Sequence, residues 1–132
     1  METPKIKMLV IEDNLADARQ LEEALKERGE EGFEMTHEPS LPGAMRRLSE
    51  EKMDLILLDL SLPGTTGLET LEKVRAASSK APLIVWTGSY DPSLSFTAIK
   101  KGALFCFSKD SSSMSGLVKA LQACSEFKKL GL

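Results

Sequence analysis

Two short runs, Leu55-Ile56-Leu57-Leu58 and Leu83-Ile84-Val85-Trp86, are apolar at every position. A strand with one wet face alternates apolar and polar residues; a strand apolar on both faces needs cover on both sides. Helices packed above and below a parallel sheet supply that cover. These two runs therefore constrain the fold more than any other feature. The rest of the chain alternates similar short runs with amphipathic stretches.

Lys5 to Ile11 reads as the first strand. Asn14 to Arg28 reads as a helix with Leu15, Ala18, Leu21 and Leu25 on one face, capped by Asn14, with Asp17 in the first turn and Gly29 and Gly32 at its end. Phe33 to Glu38 is a weaker strand, and Leu41 to Glu51 a helix entered through Ser40 with Ala44, Met45 and Leu48 inward. Asp54 to Asp59 is the third strand. Thr66-Gly67-Leu68-Glu69 has the capping-box pattern and opens a helix carrying Leu68, Leu71 and Val74. Pro82 to Thr87 is the fourth strand, and Asp91-Pro92 starts a short helix with Asp as cap. Ala103 to Ser108 is the fifth strand. A last helix begins near Ser112 and carries Leu117, Val118, Leu121 and Cys124, with the preceding serines as caps. Five strands alternating with five helices predict an α/β, doubly wound parallel sheet, with flavodoxin-like order 2-1-3-4-5.

The 132 residues fit one domain, expected over 1–132 with a core of about 5–129, and the 42% hydrophobic content suffices for one buried core. A net charge of −3 with mixed signs gives no basic footprint, so nucleic-acid binding is not expected. No apolar run reaches membrane-span length, and Met1-Glu2-Thr3-Pro4 lacks a signal-peptide core, which makes the cytoplasm the expected compartment. Cys106 and Cys124 form no metal-type pair and are expected to be reduced.

Ligands of such sheets bind beyond the carboxyl ends of the strands, where the strand order reverses. The first strand ends in Glu12-Asp13, the third in Asp59, the fourth in Thr87, and the fifth just before Lys109. In the order 2-1-3-4-5 these four strands are neighbours. Three carboxylates meeting there would repel one another unless a cation intervened. Mg²⁺ suits oxygen ligands. Asp13 and Asp59 are the expected direct ligands, Glu12 acts through water, and the backbone carbonyl near Ser61 adds an oxygen. A carboxylate such as Asp59 can also act as a nucleophile toward phosphorus. Mg²⁺, Lys109 and the Thr87 hydroxyl would then each cover one phosphoryl oxygen.

The motifs Ile11-Glu12-Asp13-Asn14, Asp59 with Pro63 and Gly67, Pro82 to Gly88 ending in Thr87-Gly88, Gly102-Ala103 and Lys109 together resemble response-regulator receiver domains. The resemblance covers nearly the whole chain, in order. It implies that Asp59 accepts a phosphoryl group from a histidine kinase or phosphotransfer protein. It also implies that Thr87 moves toward that group and repacks the fourth helix, fifth strand and fifth helix, the surface for any homodimer; the surface around Ser93 to Lys101 and the last helix is the expected partner face. It further implies a signalling switch, with no turnover activity of its own.

Two positions depart from the family. Cys106 stands where an aromatic usually precedes the lysine by three, and Asp110 replaces the proline after it. A cis bond before a non-proline residue costs roughly 3 kcal/mol or more, so a trans Lys109–Asp110 bond is expected, with Asp110 available to pair with Lys109. His37 reads as an ordinary strand residue and Trp86 as core. An aspartyl phosphatase would place an Asp where Ser61 stands, and neither a Walker loop nor a dinucleotide turn follows the first strand. The remaining alternative is a degenerate receiver that binds partners without phosphorylation.

Overall fold

The apolar runs become the strands, and their two-sided character decides their places. In the computed structural model, which describes residues 5–27, 32–88 and 90–131, β1 (Ile6–Ile11), β2 (Phe33–Glu38), β3 (Leu55–Leu58), β4 (Leu83–Thr87) and β5 (Phe105–Ser108) form one parallel sheet. Its order is β2-β1-β3-β4-β5, as expected. Every residue of β3 and β4 is buried, whereas the edge strands β2 and β5 are mostly half-covered.

The helices are α1 (Leu15–Glu27), α2 (Leu41–Glu50), α3 (Gly67–Ala77), α4 (Pro92–Lys100) and α5 (Met114–Lys129), the last preceded by a 3₁₀ turn over Ser111–Ser113. Successive strand residues point to opposite faces. Leu9, Ile11, Ile56, Leu58, Leu83 and Val85 pack with residues of α2, α3 and α4. Met8, Val10, Leu55, Leu57, Ile84 and Trp86 pack with α1 and α5. Among the described residues, no helix is long and apolar enough to cross a membrane.

Several local expectations hold. The Asn14 carboxamide accepts from the Asp17 amide (3.2 Å), the Ser40 hydroxyl from Gly43 (3.3 Å) and the Asp91 carboxylate from Leu94 (2.8 Å), each satisfying an amide that the first turn leaves unpaired. Ala18, Leu21 and Leu25 are buried on α1, but Leu15 is half-exposed. It opens the helix beyond the strand ends, where the sheet no longer lies beneath it. Gly29, placed at the end of this helix, lies outside the described residues. At Thr66 the helix starts as predicted, but the hydroxyl donates to the Glu69 carboxylate (2.7 Å) and does not cap an amide. A hydroxyl pointed at a charged acceptor makes the stronger bond. At Gly64 a φ of 75° turns the loop between β3 and α3, a conformation that favours glycine.

Asp110 corrects one expectation and bears out another. The Lys109–Asp110 bond is trans, no cis peptide occurring among the described residues. Its carboxylate turns away from Lys109 and takes the hydroxyls of Ser108 (2.6 Å), Ser112 (2.6 Å) and Ser113 (3.1 Å) and the Ser113 amide (3.1 Å). It caps the 3₁₀ turn leading into α5, the role the sequence assigned to the serines.

These bonds, from Ser108 first, hold the Asp110 carboxyl down at about 2, against an ordinary 3.8. A depressed folded-state value stabilises above the unfolded pKa and is lost as pH falls through the folded one. Asp110→Ala is therefore expected to lower the melting temperature at neutral pH. The gap to the wild type should narrow as pH falls from about 4 toward about 2. Thermal melts across that range check it, and a gap independent of pH contradicts it.

Candidate functional site

Sheet hydrogen bonding continues just past the strand ends and fixes the polar residues there. The Asp59 amide donates to the Ile11 carbonyl (3.0 Å), Glu12 to Glu38 (3.1 Å) and Lys109 to Thr87 (3.1 Å). Ile11 and Leu58 are paired in register, so Glu12 and Asp59 leave adjacent strands at the same level. This is the point at which the strand order reverses.

Glu12 and Asp59 are buried (1% and 3% exposed) and Asp13 is exposed. One carboxylate oxygen from each of the three lies within 4.8 Å of the others. The Lys109 ammonium lies 3.0 Å from Asp59 Oδ2 and 2.9 Å from Asp17 Oδ2, and is in ion-pair contact with Glu12 Oε1. It also sits 5.3 Å from the centroid of the buried Trp86 ring, within cation–π range.

Burial alone would lower the Lys109 pKa. The hydrogen bonds to Asp17, Glu12 and Asp59 outweigh it and hold the group above the ordinary lysine range. Burial pushes the Glu12 carboxyl up to about 7, against the lowering effects of Lys109 and the Asn14 amide. Three carboxylates, Glu12, Asp17 and Asp59, thus meet one ammonium, with Asp13 grouped beside Glu12 and Asp59.

The second Asp59 oxygen, Oδ1, accepts the Ser61 amide (2.9 Å). The Ser61 hydroxyl lies 3.2 Å from that of Thr87, which ends β4 fully buried. Cys106 is half-buried and packs against the α2–α3–α4 layer. Burial pushes its thiol up, as for a small hydrophobe.

The residues expected from sequence, Glu12, Asp13, Asp59, Thr87 and Lys109 with Ser61, therefore come together. Three contacts were not foreseen. The sequence presents Asp17 only as a favourable first-turn charge. It lies four residues after Asp13, but Asp13 precedes the helix, so spacing alone gives no signal that Asp17 joins the site. The His37 ring, through Nε2, lies 2.5 Å from the Glu12 carbonyl and braces the acidic loop. His37 pairs in register with Val10 on the neighbouring strand, two residues before Glu12. Ser61 enters through its amide and hydroxyl, whereas the sequence drew attention to its carbonyl.

The donor set suits a hard divalent cation. It is all oxygen and carries excess negative charge, with three carboxylates grouped around one ammonium.

The family model described as "Response regulator receiver domain" matches residues 8–122. The chain is 33% identical over 82 residues to the two-component response regulator PhoP of Pseudomonas aeruginosa, covering 62% of this chain and 35% of that protein. It is 48% identical over 50 residues to the nitrate/nitrite response regulator NarL of Escherichia coli (38% and 23%). The matched segments thus span about a third or less of these curated relatives. Among solved structures, the signal receiver domain of a LuxO repressor protein from Vibrio parahaemolyticus superposes with a TM-score of 0.83 at 23% identity, covering 96% of this chain and 95% of that one. A Burkholderia pseudomallei response regulator, solved with a phosphorylated aspartic acid, calcium ion and citrate, gives 0.72 at 25% identity (94% and 75%).

The excess carboxylate charge makes a prediction. MgCl₂ should raise the melting temperature saturably, beyond NaCl of equal ionic strength, because a cation that binds only the folded state stabilises it. Asp13→Asn should remove most of that gain. Equal melting curves in MgCl₂ and matched NaCl would contradict it.

Proposed function

Because the chain belongs to the response regulator receiver domain family, we propose that it is a phosphorylation switch whose acceptor is Asp59. One observation carries this reading. Asp59 is a buried carboxylate with one oxygen on Lys109 and the other on the Ser61 amide, set among Glu12 and Asp13 at the reversal of strand order. Such a group is held in one orientation, as a nucleophile must be.

In the proposed transfer an Asp59 carboxylate oxygen attacks phosphorus of a phosphohistidine on a sensor kinase or phosphotransfer protein. The N–P bond breaks, and its electron pair stays on the imidazole nitrogen. Lys109 neutralises one phosphoryl oxygen. Mg²⁺, held by Asp13 and Asp59 with Glu12 and the Ser61 carbonyl in support, would supply further neutralising charge on the phosphoryl oxygens. Hydrolysis later returns the Asp59 carboxylate, so the group is carried and released without turnover of a separate substrate.

Thr87 converts occupancy into shape. Its hydroxyl engages Ser61 in the unphosphorylated state, and a phosphoryl oxygen is a stronger, charged acceptor. Moving toward it pulls on the end of β4 and on α4, β5 and α5. The exposed apolar residues Phe96 and Ile99 of α4, Leu104 just before β5 and Phe105 of β5 (66%, 48%, 49% and 42% exposed) form the proposed partner face, shared by an effector or a second copy. Cys106 offers no ring to swing, so this readout runs through α4 packing. A phosphorylation-independent binding module is not favoured, because such a module needs no convergence of these carboxylates with Lys109.

Acetyl phosphate with Mg²⁺ should add one alkali-labile phosphoryl group, absent in Asp59→Asn. Intact-mass spectrometry reads it, and a modification that survives alkali or persists in Asp59→Asn contradicts the reading. Trp86 is the only tryptophan and lies against Lys109. Its emission should therefore change saturably with Mg²⁺ and beryllofluoride in the wild type and stay constant in Asp59→Asn. A constant wild-type emission counts against Lys109 moving on binding.

A further inference from the structure

An ammonium has three protons to donate, and Lys109 faces three carboxylates from three different elements. Glu12 continues β1, Asp59 continues β3, and Asp17 belongs to the first turn of α1, 92 residues away in sequence. A phosphoryl oxygen arriving at Asp59 needs one of these protons. Glu12 is 1% exposed, with its loop fixed by the Glu38 and His37 contacts, and cannot readily leave. Asp59 carries the arriving group. Asp17 is the partner with access to water, its side chain 27% exposed, so it gives up its share at the lowest desolvation cost.

We propose that Asp17 is a positioning residue that acts through Lys109, holding the ammonium toward α1 in the resting state and competing with the phosphoryl group for it. Asp17 thereby sets how tightly the site holds a phosphoryl group. Its negative charge, close to the site, opposes the anion in the same direction. This inference rests on the reading of Asp59 as phosphoacceptor.

The competition predicts opposite shifts for two ligands. Asp17→Asn frees a Lys109 proton and removes a negative charge, so beryllofluoride binds more tightly, whereas Mg²⁺ loses a nearby attractive charge and binds more weakly. The Asp17 backbone amide, which the Asn14 cap uses, is untouched by the change. General damage to the fold would weaken both ligands together.

The full chain and Asp17→Asn are titrated with MgCl₂, and then with beryllofluoride at saturating MgCl₂, with binding read by fluorine NMR. The expected result is about fivefold tighter beryllofluoride binding, between the effects of an exposed ion pair and a buried charged hydrogen bond, together with weaker Mg²⁺ binding. Asp17→Ser should behave the same way and replaces Asp17→Asn if the latter does not fold. Because direct contacts are screened little by salt, the gain should persist in about 0.5 M NaCl. Unchanged or weaker beryllofluoride binding overturns the proposal, as does a gain that disappears in salt. A wild type that binds no beryllofluoride overturns the phosphoacceptor reading instead, and the two failures are thus distinct.

Discussion

The Lys109 ammonium, set among Glu12, Asp59 and Asp17, is the interaction on which the rest of the site depends. Carboxylates at the ends of adjacent strands repel, and two of them are almost out of water. One ammonium offsets part of that repulsion and ties the end of β5 to β1, β3 and α1. It leaves the site short of positive charge, so a site that tolerates its own carboxylates also favours a divalent cation. Burial raises Glu12 toward neutrality, and the neighbouring Asp59 adds to it.

The fold exists to make that encounter possible. β3 and β4 are apolar on both faces, so the polar residues the site needs can occur only where the strands end. Parallel pairing brings those ends to one edge of the sheet. Loops then add the hydroxyls, and the Ser61–Thr87 pair links the loop after Asp59 to the strand leading into α4. The two departures from the family pattern fall in β5 and just after it. Cys106 packs into the α2–α3–α4 layer, and Asp110 fastens the start of α5 through the serines.

Strand order, the two-layer cover and the ends of most helices were legible in the sequence because each follows from local periodicity or cap chemistry. So were Glu12, Asp13, Asp59, Thr87 and Lys109, because topology alone brings the ends of β1, β3, β4 and β5 together. What could not be read depends on where side chains point beyond the strands. Asp17 and Lys109 meet because the long lysine side chain reaches from the end of β5 to the first turn of α1. His37 finds the Glu12 carbonyl through the β1–β2 register. Asp110 had a cation and a row of hydroxyls within reach, and only the turn after β5 decides for the hydroxyls. Leu15 matched the helical period, but periodicity does not say where the sheet beneath the helix stops.

Lys109→Met tests the central claim most directly, by removing the charge at nearly constant volume. If the ammonium offsets the buried carboxylates, denaturant unfolding without divalent ions should show a loss of roughly 2–3 kcal/mol. Calorimetry on the same variant should show tighter Mg²⁺ binding, since the metal then meets uncompensated carboxylates. Unchanged stability together with unchanged Mg²⁺ affinity would contradict the account.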